Sequence, residues 1–152
     1  MVLLDSKAFE EADEYHQIFL NDATLMAKVM RSIPVADINP DDYQAILFSG
    51  GSGPMWDFPN NSDISRISSS IYKNYSIVSA LCHGNATLVN HKWSDGSLLI
   101  KGKRVSTFTN EEEASLAAIE IVPFLLQNKL IEQGAIYVEE RLGKKTQSFR
   151  SV

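Results

Sequence analysis

Two short apolar runs with a helix-patterned stretch between them do most to limit what this chain can become. Ala45-Ile46-Leu47-Phe48 is continuously apolar, as in strands covered on both faces, and Ile77 to Leu81 is a second β-prone run. Between them Ile64, Ile67 and Ile71 share one helical face, with serines at the exposed positions and Ser62 or Asp63 as the cap. Strand, helix and strand in that order form a βαβ unit, which requires parallel strands and a right-handed crossover. The fold class is therefore α/β with a mainly parallel sheet, and reactive groups belong at the carboxyl ends of its strands.

Both strand ends carry distinctive residues. The first run ends in Ser49-Gly50-Gly51-Ser52-Gly53-Pro54. Glycines directly after a buried strand allow positive φ and can turn N–H groups toward an anion or oxyanion. No Lys-Ser/Thr comes after them as in a P-loop, and the dinucleotide fingerprint is absent, so nucleotide binding is disfavoured; a tight structural turn is the alternative.

The second run leads straight into Cys82, the only cysteine, then His83-Gly84, with Ala86, Leu88 and Val89 at helix-compatible spacing. A strand, sharp turn and helix of this kind thrusts its central side chain outward, near a helix N-terminus that favours negative charge. The thiolate is the nucleophilic form, so the position suits covalent catalysis. A lone cysteine at the end of an apolar strand is more often packing. The adjoining His83-Gly84 and the glycine turn shift the balance toward function.

The rest of the chain alternates helical and extended signals. Phe9, Ala12, His16, Phe19 and Leu20 predict an amphipathic helix behind Asp5 or Ser6, its acidic residues solvated and His16 packed on the apolar side. Asn21-Asp22 can cap a second helix through Leu25, Met26, Val29 and Met30, stopped by Pro34. Met55-Trp56-Asp57-Phe58-Pro59 places two aromatics in a loop that either lines a cleft or covers the core. His91 is expected at the surface, and Leu98 to Thr107 suggests a hairpin. Thr109 or Asn110 caps a helix whose first-turn glutamates complement its dipole. Pro123 begins or kinks a segment through Leu130, ended near Gly134 before a β-prone run at 135–138. Residues 1–138 are expected to form one domain and 139–152 a polar tail.

Composition narrows the function classes. An apolar share of 44% beside 22% charged residues suits a folded globular chain rather than a disordered one. The net charge of −5 disfavours nucleic acid as a partner. One cysteine allows no intramolecular disulfide, no signal-peptide pattern is visible, and no run approaches the roughly 18 apolar residues of a membrane helix. A cytoplasmic location is expected, with no membrane partner.

Several stretches together resemble the ThiJ/PfpI superfamily, whose fold is like that of class I glutamine amidotransferases, and more narrowly its heat-shock chaperone and glyoxalase III branch. They are Asp42 to Phe48, Gly50 to Asp57, Ala80 to Gly84, Gly102 to Val105, and Phe108-Thr109-Asn110-Glu111-Glu112-Glu113, in family order. The resemblance implies a flavodoxin-like sheet with Cys82 as elbow nucleophile, His83 as its proton-transfer partner and Glu113 as the carboxylate orienting the histidine. It implies oxyanion donors at Gly51 and the N–H after Cys82, with Gly50, Ser52, Gly53 and Trp56 beside the substrate.

Members of this branch resemble cofactor-independent glyoxalases that convert methylglyoxal to lactate, so a small aldehyde is the implied substrate and no cofactor or metal is expected. Several also act as holdase chaperones. A catalytically degraded stress-response protein is the alternative, and a cysteine hydrolase or amidotransferase carries less weight.

The sequence also departs from the family pattern. Set against that resemblance, the sequence is expected to lack the strand and turn that supply a glutamate beside the nucleophile, since Glu10, Glu11 and Glu14 match no such turn. Ser52 stands where the family often has histidine and Asn85 where it has proline, and no closing strand is expected after Val138. A sheet clipped in this way would leave unpaired backbone and uncovered apolar surface, so a homo-oligomer is expected.

Overall fold

The structure is a computed structural model that describes residues 14–93 and 95–138. The expected helix start at Phe9 and Ala12, its caps at Asp5 and Ser6, and the tail at 139–152 lie outside them. Two compact units are present, Met1–Ile38 and Asn39–Val152.

In the first unit, α1 spans Glu14–Asn21 and α2 spans Ala23–Met30. The Asp22 carboxylate caps α2, accepting from the Thr24 and Leu25 N–H groups at 2.8 and 3.0 Å. His16, expected to be packed, is exposed. Of the stripe that suggested packing, Phe19 is exposed and Leu20 half-buried, and Val29 and Met30 of the second stripe are exposed as well.

The second unit contains the βαβ element. Strand β1 (Ala45–Phe48) pairs in parallel with β2 (Ile77–Ala80), Ala45 opposite Ile77 and Phe48 opposite Ala80. After the one-turn helix α3 (Pro54–Asp57), the crossover is α4 (Ser62–Lys73), which packs against both strands with Ile64, Ile67 and Ile71 buried. Its cap is Asn61 rather than Ser62 or Asp63. Asn61 is extended, so its Oδ1 accepts from the Asp63 and Ile64 N–H groups at 3.1 Å each. The sheet's opposite face carries Leu47, 66% exposed, with Ile77 and Leu81 at 65% each.

The hairpin expected over Leu98 to Thr107 does not form. Lys92 and Leu98 make one antiparallel bridge, while β3 (Arg104–Val105) pairs in parallel with β4 (Ile136–Tyr137). Leu99 and Ile100 are adjacent and both buried, which departs from the in-out alternation of a hairpin with one open face. Lys101 and Lys103 N–H groups instead close tight turns onto the Leu98 and Ile100 carbonyls. Among the described residues the strands form two parallel pairs, β1 with β2 and β3 with β4.

Helix α5 spans Asn110–Ser115, and α6 spans Leu126–Glu132. The latter starts three residues beyond Pro123, since residues 121–124 form turns and bends. Gly134, with φ of 89°, ends it as expected. The core cluster of this unit comprises Met55, Ala86, Val89, Ile100, Val105, Leu126 and Leu130.

His91 also departs from expectation, being only 2% exposed. Asn90 and Gln133 exchange two hydrogen bonds, and the Leu99 N–H donates to the His91 carbonyl at 2.8 Å, so the chain is held with this ring inward. Burial lowers its pKa from 6.5, and the backbone of Phe58 opposes the shift only in part.

Above pH of about 6.5 the ring is neutral in both folded and unfolded chains. As pH falls through that value the unfolded chain binds a proton that the folded chain resists, so stability is lost by up to about 1.4 kcal/mol per pH unit. Urea titrations across this range are expected to show a shallower loss for His91→Gln. A variant that loses stability as steeply as the parent chain would remove the assignment.

Candidate active site

The strand-to-turn geometry at Cys82 sets the site. Beyond Ala80 the chain does not enter an α-helix, as its spacing suggested, but a 3-10 helix over Cys82–Leu88. Five consecutive residues, His83 to Thr87, are buried, so this turn is packed on all sides rather than along one stripe. A longer α-helix, and with it a macrodipole, is therefore not part of the setting. What remains of the elbow is its strain: Cys82 has φ of 54°, a left-handed conformation uncommon for a residue with a side chain.

Close backbone approaches hold the elbow against the end of β1. A Cβ on Gly84 would stand 2.3 Å from the Phe48 carbonyl oxygen and 2.7 Å from that of Ser49. A Cβ on Gly50 would stand 2.8 Å from the Cys82 Cβ and 3.5 Å from its sulfur. The half-buried thiol thus lies over the first glycine of the loop after β1. In the sequence Gly84 stands out only as a neighbour of Cys82, although a glycine two residues past the turn is itself a signal of close packing.

From the sulfur a line of polar groups runs inward. Cys82 Sγ lies 3.5 Å from His83 Nδ1, and His83 Nε2 lies 2.5 Å from Glu113 Oε1. The Thr109 and Glu112 capping box positions Glu113: the Thr109 N–H donates to the Glu112 carboxylate at 2.7 Å, and the Glu112 N–H donates to Thr109 Oγ1 at 3.0 Å. The next residue is thereby turned into the core. Glu113 is 1% exposed, and its Oε2 has no hydrogen-bond partner among the described residues. The Phe108 ring lies against the imidazole, centroids 4.5 Å apart.

This geometry divides the two ring nitrogens by role. With Nε2–H donating to the carboxylate, Nδ1 is left as an acceptor facing the thiol. Moving the thiol proton to Nδ1 yields a thiolate beside an imidazolium, and the buried carboxylate offsets that positive charge.

The structure brings Cys82, His83, Glu113 and Gly50 together. Gly51 has φ of 94°, a conformation that glycine adopts without the strain a side chain would bring. Ser52 and Gly53 are exposed, and their carbonyls accept from Met55 and Trp56 at the start of α3. Trp56 is 51% exposed and makes no ring contact with His83 or Phe108 among the described residues, while its neighbour Met55 is buried in the core. Of the two aromatics in that stretch, only Phe58 covers the interior, edge-on to Phe48 at 5.6 Å. No group of three or more His, Cys, Asp or Glu side chains suited to a metal ion occurs among the described residues.

Parallel strand pairs with helices, and a cysteine at a strand-end turn beside a buried histidine–glutamate pair, define the class as α/β with an elbow cysteine, and comparison with known chains narrows it. No family model matches the sequence. Glyoxalase 3 of Candida albicans is 36% identical over 109 residues, 68% of this chain and 46% of that protein. The glutathione-independent glyoxalase HSP31 of Saccharomyces cerevisiae is 38% identical over 89 residues, 57% of this chain and 37% of that one.

Among solved structures, Rapid Encystment Protein 24 KDa of Francisella tularensis aligns with a TM-score of 0.83 at 37% identity, over 92% of this chain and 62% of the other. Glyoxalase III of Candida albicans aligns with a TM-score of 0.73 at 30% identity, over 84% and 56%. The chain belongs to the ThiJ/PfpI superfamily, in its glyoxalase III and HSP31 branch. It spans about half the length of the curated relatives it matches, or less.

Proposed function

We propose that this chain carries glutathione-independent glyoxalase chemistry, converting methylglyoxal to lactate through Cys82. The observation that carries this reading is the hydrogen-bonded line Cys82 Sγ, His83 and Glu113, which runs from the turn after β2 to α5. In the proposed reaction the thiolate adds to the aldehyde carbon, and the carbonyl electron pair becomes an alkoxide that takes up a proton, giving a hemithioacetal. His83 Nδ1 then removes the proton from that carbon and returns one to the neighbouring carbon.

The product of that shift is a lactoyl thioester, which water cleaves to lactate and the free thiol. The aldehyde carbon is oxidised as the ketone carbon is reduced, so no external redox partner is consumed. The His83 and Gly51 N–H groups serve as oxyanion donors, the Gly50 and Gly53 turn carries Gly51, and Ser52 and the open Trp56 face the substrate side. Lactate is expected to accumulate from methylglyoxal in glutathione-free buffer, measured with a lactate dehydrogenase coupling. Lactate no faster than in buffer alone would overturn the reading.

A second feature favours self-association and chaperone-like binding. Leu47, Ile77 and Leu81 form an open apolar face on the β1–β2 pair. Size-exclusion chromatography with light scattering is expected to give a mass above that of one chain. A monodisperse single-chain mass would remove this part of the proposal.

A further inference from the structure

The oxygen of the strained elbow peptide is held more firmly than a turn requires. The Asn85 side chain donates from Nδ2 to the Cys82 carbonyl at 2.9 Å, and Thr107 donates to the same oxygen from Oγ1 at 3.4 Å. Both side chains are buried. They arrive from different parts of the chain, Asn85 from the elbow turn itself and Thr107 from just beyond β3. Thr107 is anchored in turn, since its carbonyl accepts from the Tyr137 hydroxyl on β4 at 3.2 Å.

The carbonyl of Cys82 and the N–H of His83 belong to one peptide plane. No peptide bond in the described chain is cis, so the two point in opposite directions. Fixing the oxygen fixes the direction of the N–H. No backbone carbonyl accepts from the His83 N–H among the described residues. At a nucleophile elbow, the N–H of the residue after the nucleophile can stabilise an oxyanion. Such stabilisation depends on donors being aimed before charge develops.

We propose that Asn85 and Thr107 are positioning residues, which pin the Cys82 carbonyl so that the His83 N–H is held free and aimed for the alkoxide of a thiol–aldehyde adduct. The inference rests on the proposed role of Cys82 as nucleophile but not on the later fate of the adduct. It assigns the specificity of the elbow: the clamp favours carbonyl electrophiles, whose oxygen gains charge on attack, over electrophiles that expel a leaving group.

Because the chain has a single cysteine, both kinds of reaction can be monitored at one sulfur. Methylglyoxal forms the carbon–sulfur bond with charge developing on oxygen, whereas iodoacetamide forms it while iodide departs. Asn85→Leu is expected to slow hemithioacetal formation, monitored by ultraviolet absorbance, by roughly tenfold. Thr107→Val is expected to slow it by about fivefold, and Thr107→Ser, which keeps the hydroxyl, to retain the parent rate. Iodoacetamide alkylation, monitored by mass spectrometry, should change little in all three.

Equal slowing of both reactions, no slowing of either, or a Thr107→Ser rate matching that of Thr107→Val would overturn the proposal. If Asn85→Leu loses its cooperative melt, the Thr107 pair decides alone. Absence of lactate with the parent chain would remove the glyoxalase reading and leave this comparison intact.

Discussion

Glu113→Gln is expected to lower kcat/KM for lactate formation by about 10²- to 10⁴-fold, and Cys82→Ala to abolish it. The carboxylate sits at the far side of the imidazole from the sulfur, 2.5 Å from Nε2, so its part in the proposed reaction is to select the ring's tautomer and compensate its charge. A glutamine amide that accepts from Nε2–H preserves the tautomer but supplies no negative charge for the imidazolium. One that donates to Nε2 places the ring proton on Nδ1, against the thiol it should accept from.

Both outcomes impair proton removal while leaving substrate contacts in place. The loss should therefore appear chiefly in kcat, with KM little changed. Because removing one partner of a buried, hydrogen-bonded pair can itself destabilise, a thermal melt of the variant separates lost chemistry from lost fold. A variant within a few-fold of the parent kcat, with an unchanged melt, would show that His83 works without Glu113.

Gly84→Ala should be the most destabilising single methyl group that can be added to the elbow. The new Cβ would stand 2.3 Å from one backbone oxygen and 2.7 Å from another, both at the end of β1, where no flexible side chain can move aside. Either β1 shifts or the elbow lifts away, and a loss of at least about 3 kcal/mol is expected. Gly51→Ala is the matched control. It meets no atom within 4 Å and suffers only from its φ of 94°, which costs about 1 to 2 kcal/mol. Urea midpoints at constant slope would compare the two. If Gly84→Ala were no less stable than Gly51→Ala, the close contact between elbow and β1 would not be what seats Cys82.

Much of the βαβ unit was legible in the sequence, because its signals are local. Apolar runs at 45–48 and 77–81 and a period matching Ile64, Ile67 and Ile71 depend on neighbours a few residues away. The details that failed depend on distant ones. Arg104 and Val105 find Ile136 and Tyr137 rather than the residues just before them, and no hairpin pattern can report a partner some thirty positions ahead. His91 turns inward because Gln133 and Leu99 hold the backbone on either side of it. The cap on α4 slipped by one residue because serine, aspartate and asparagine are all competent there, and only the extended backbone at Asn61 decides.

At the site, Cys82 and His83 adjoin in sequence. Glu113 lies thirty positions on within a run of three glutamates, and came from family resemblance rather than from spacing. The capping box explains the division physically: Glu112 is consumed by the helix end, and Glu113, one step further round, is the one turned inward.

The left-handed backbone at Cys82 bears on selection. An L-residue with a Cβ costs about 1 to 2 kcal/mol in that conformation, and glycine would relieve it at once. Random substitution under selection for folding alone should therefore drift toward glycine at position 82. Cys82→Gly is therefore expected to raise the urea midpoint while removing the sulfur, so stability and the proposed chemistry pull in opposite directions at this position.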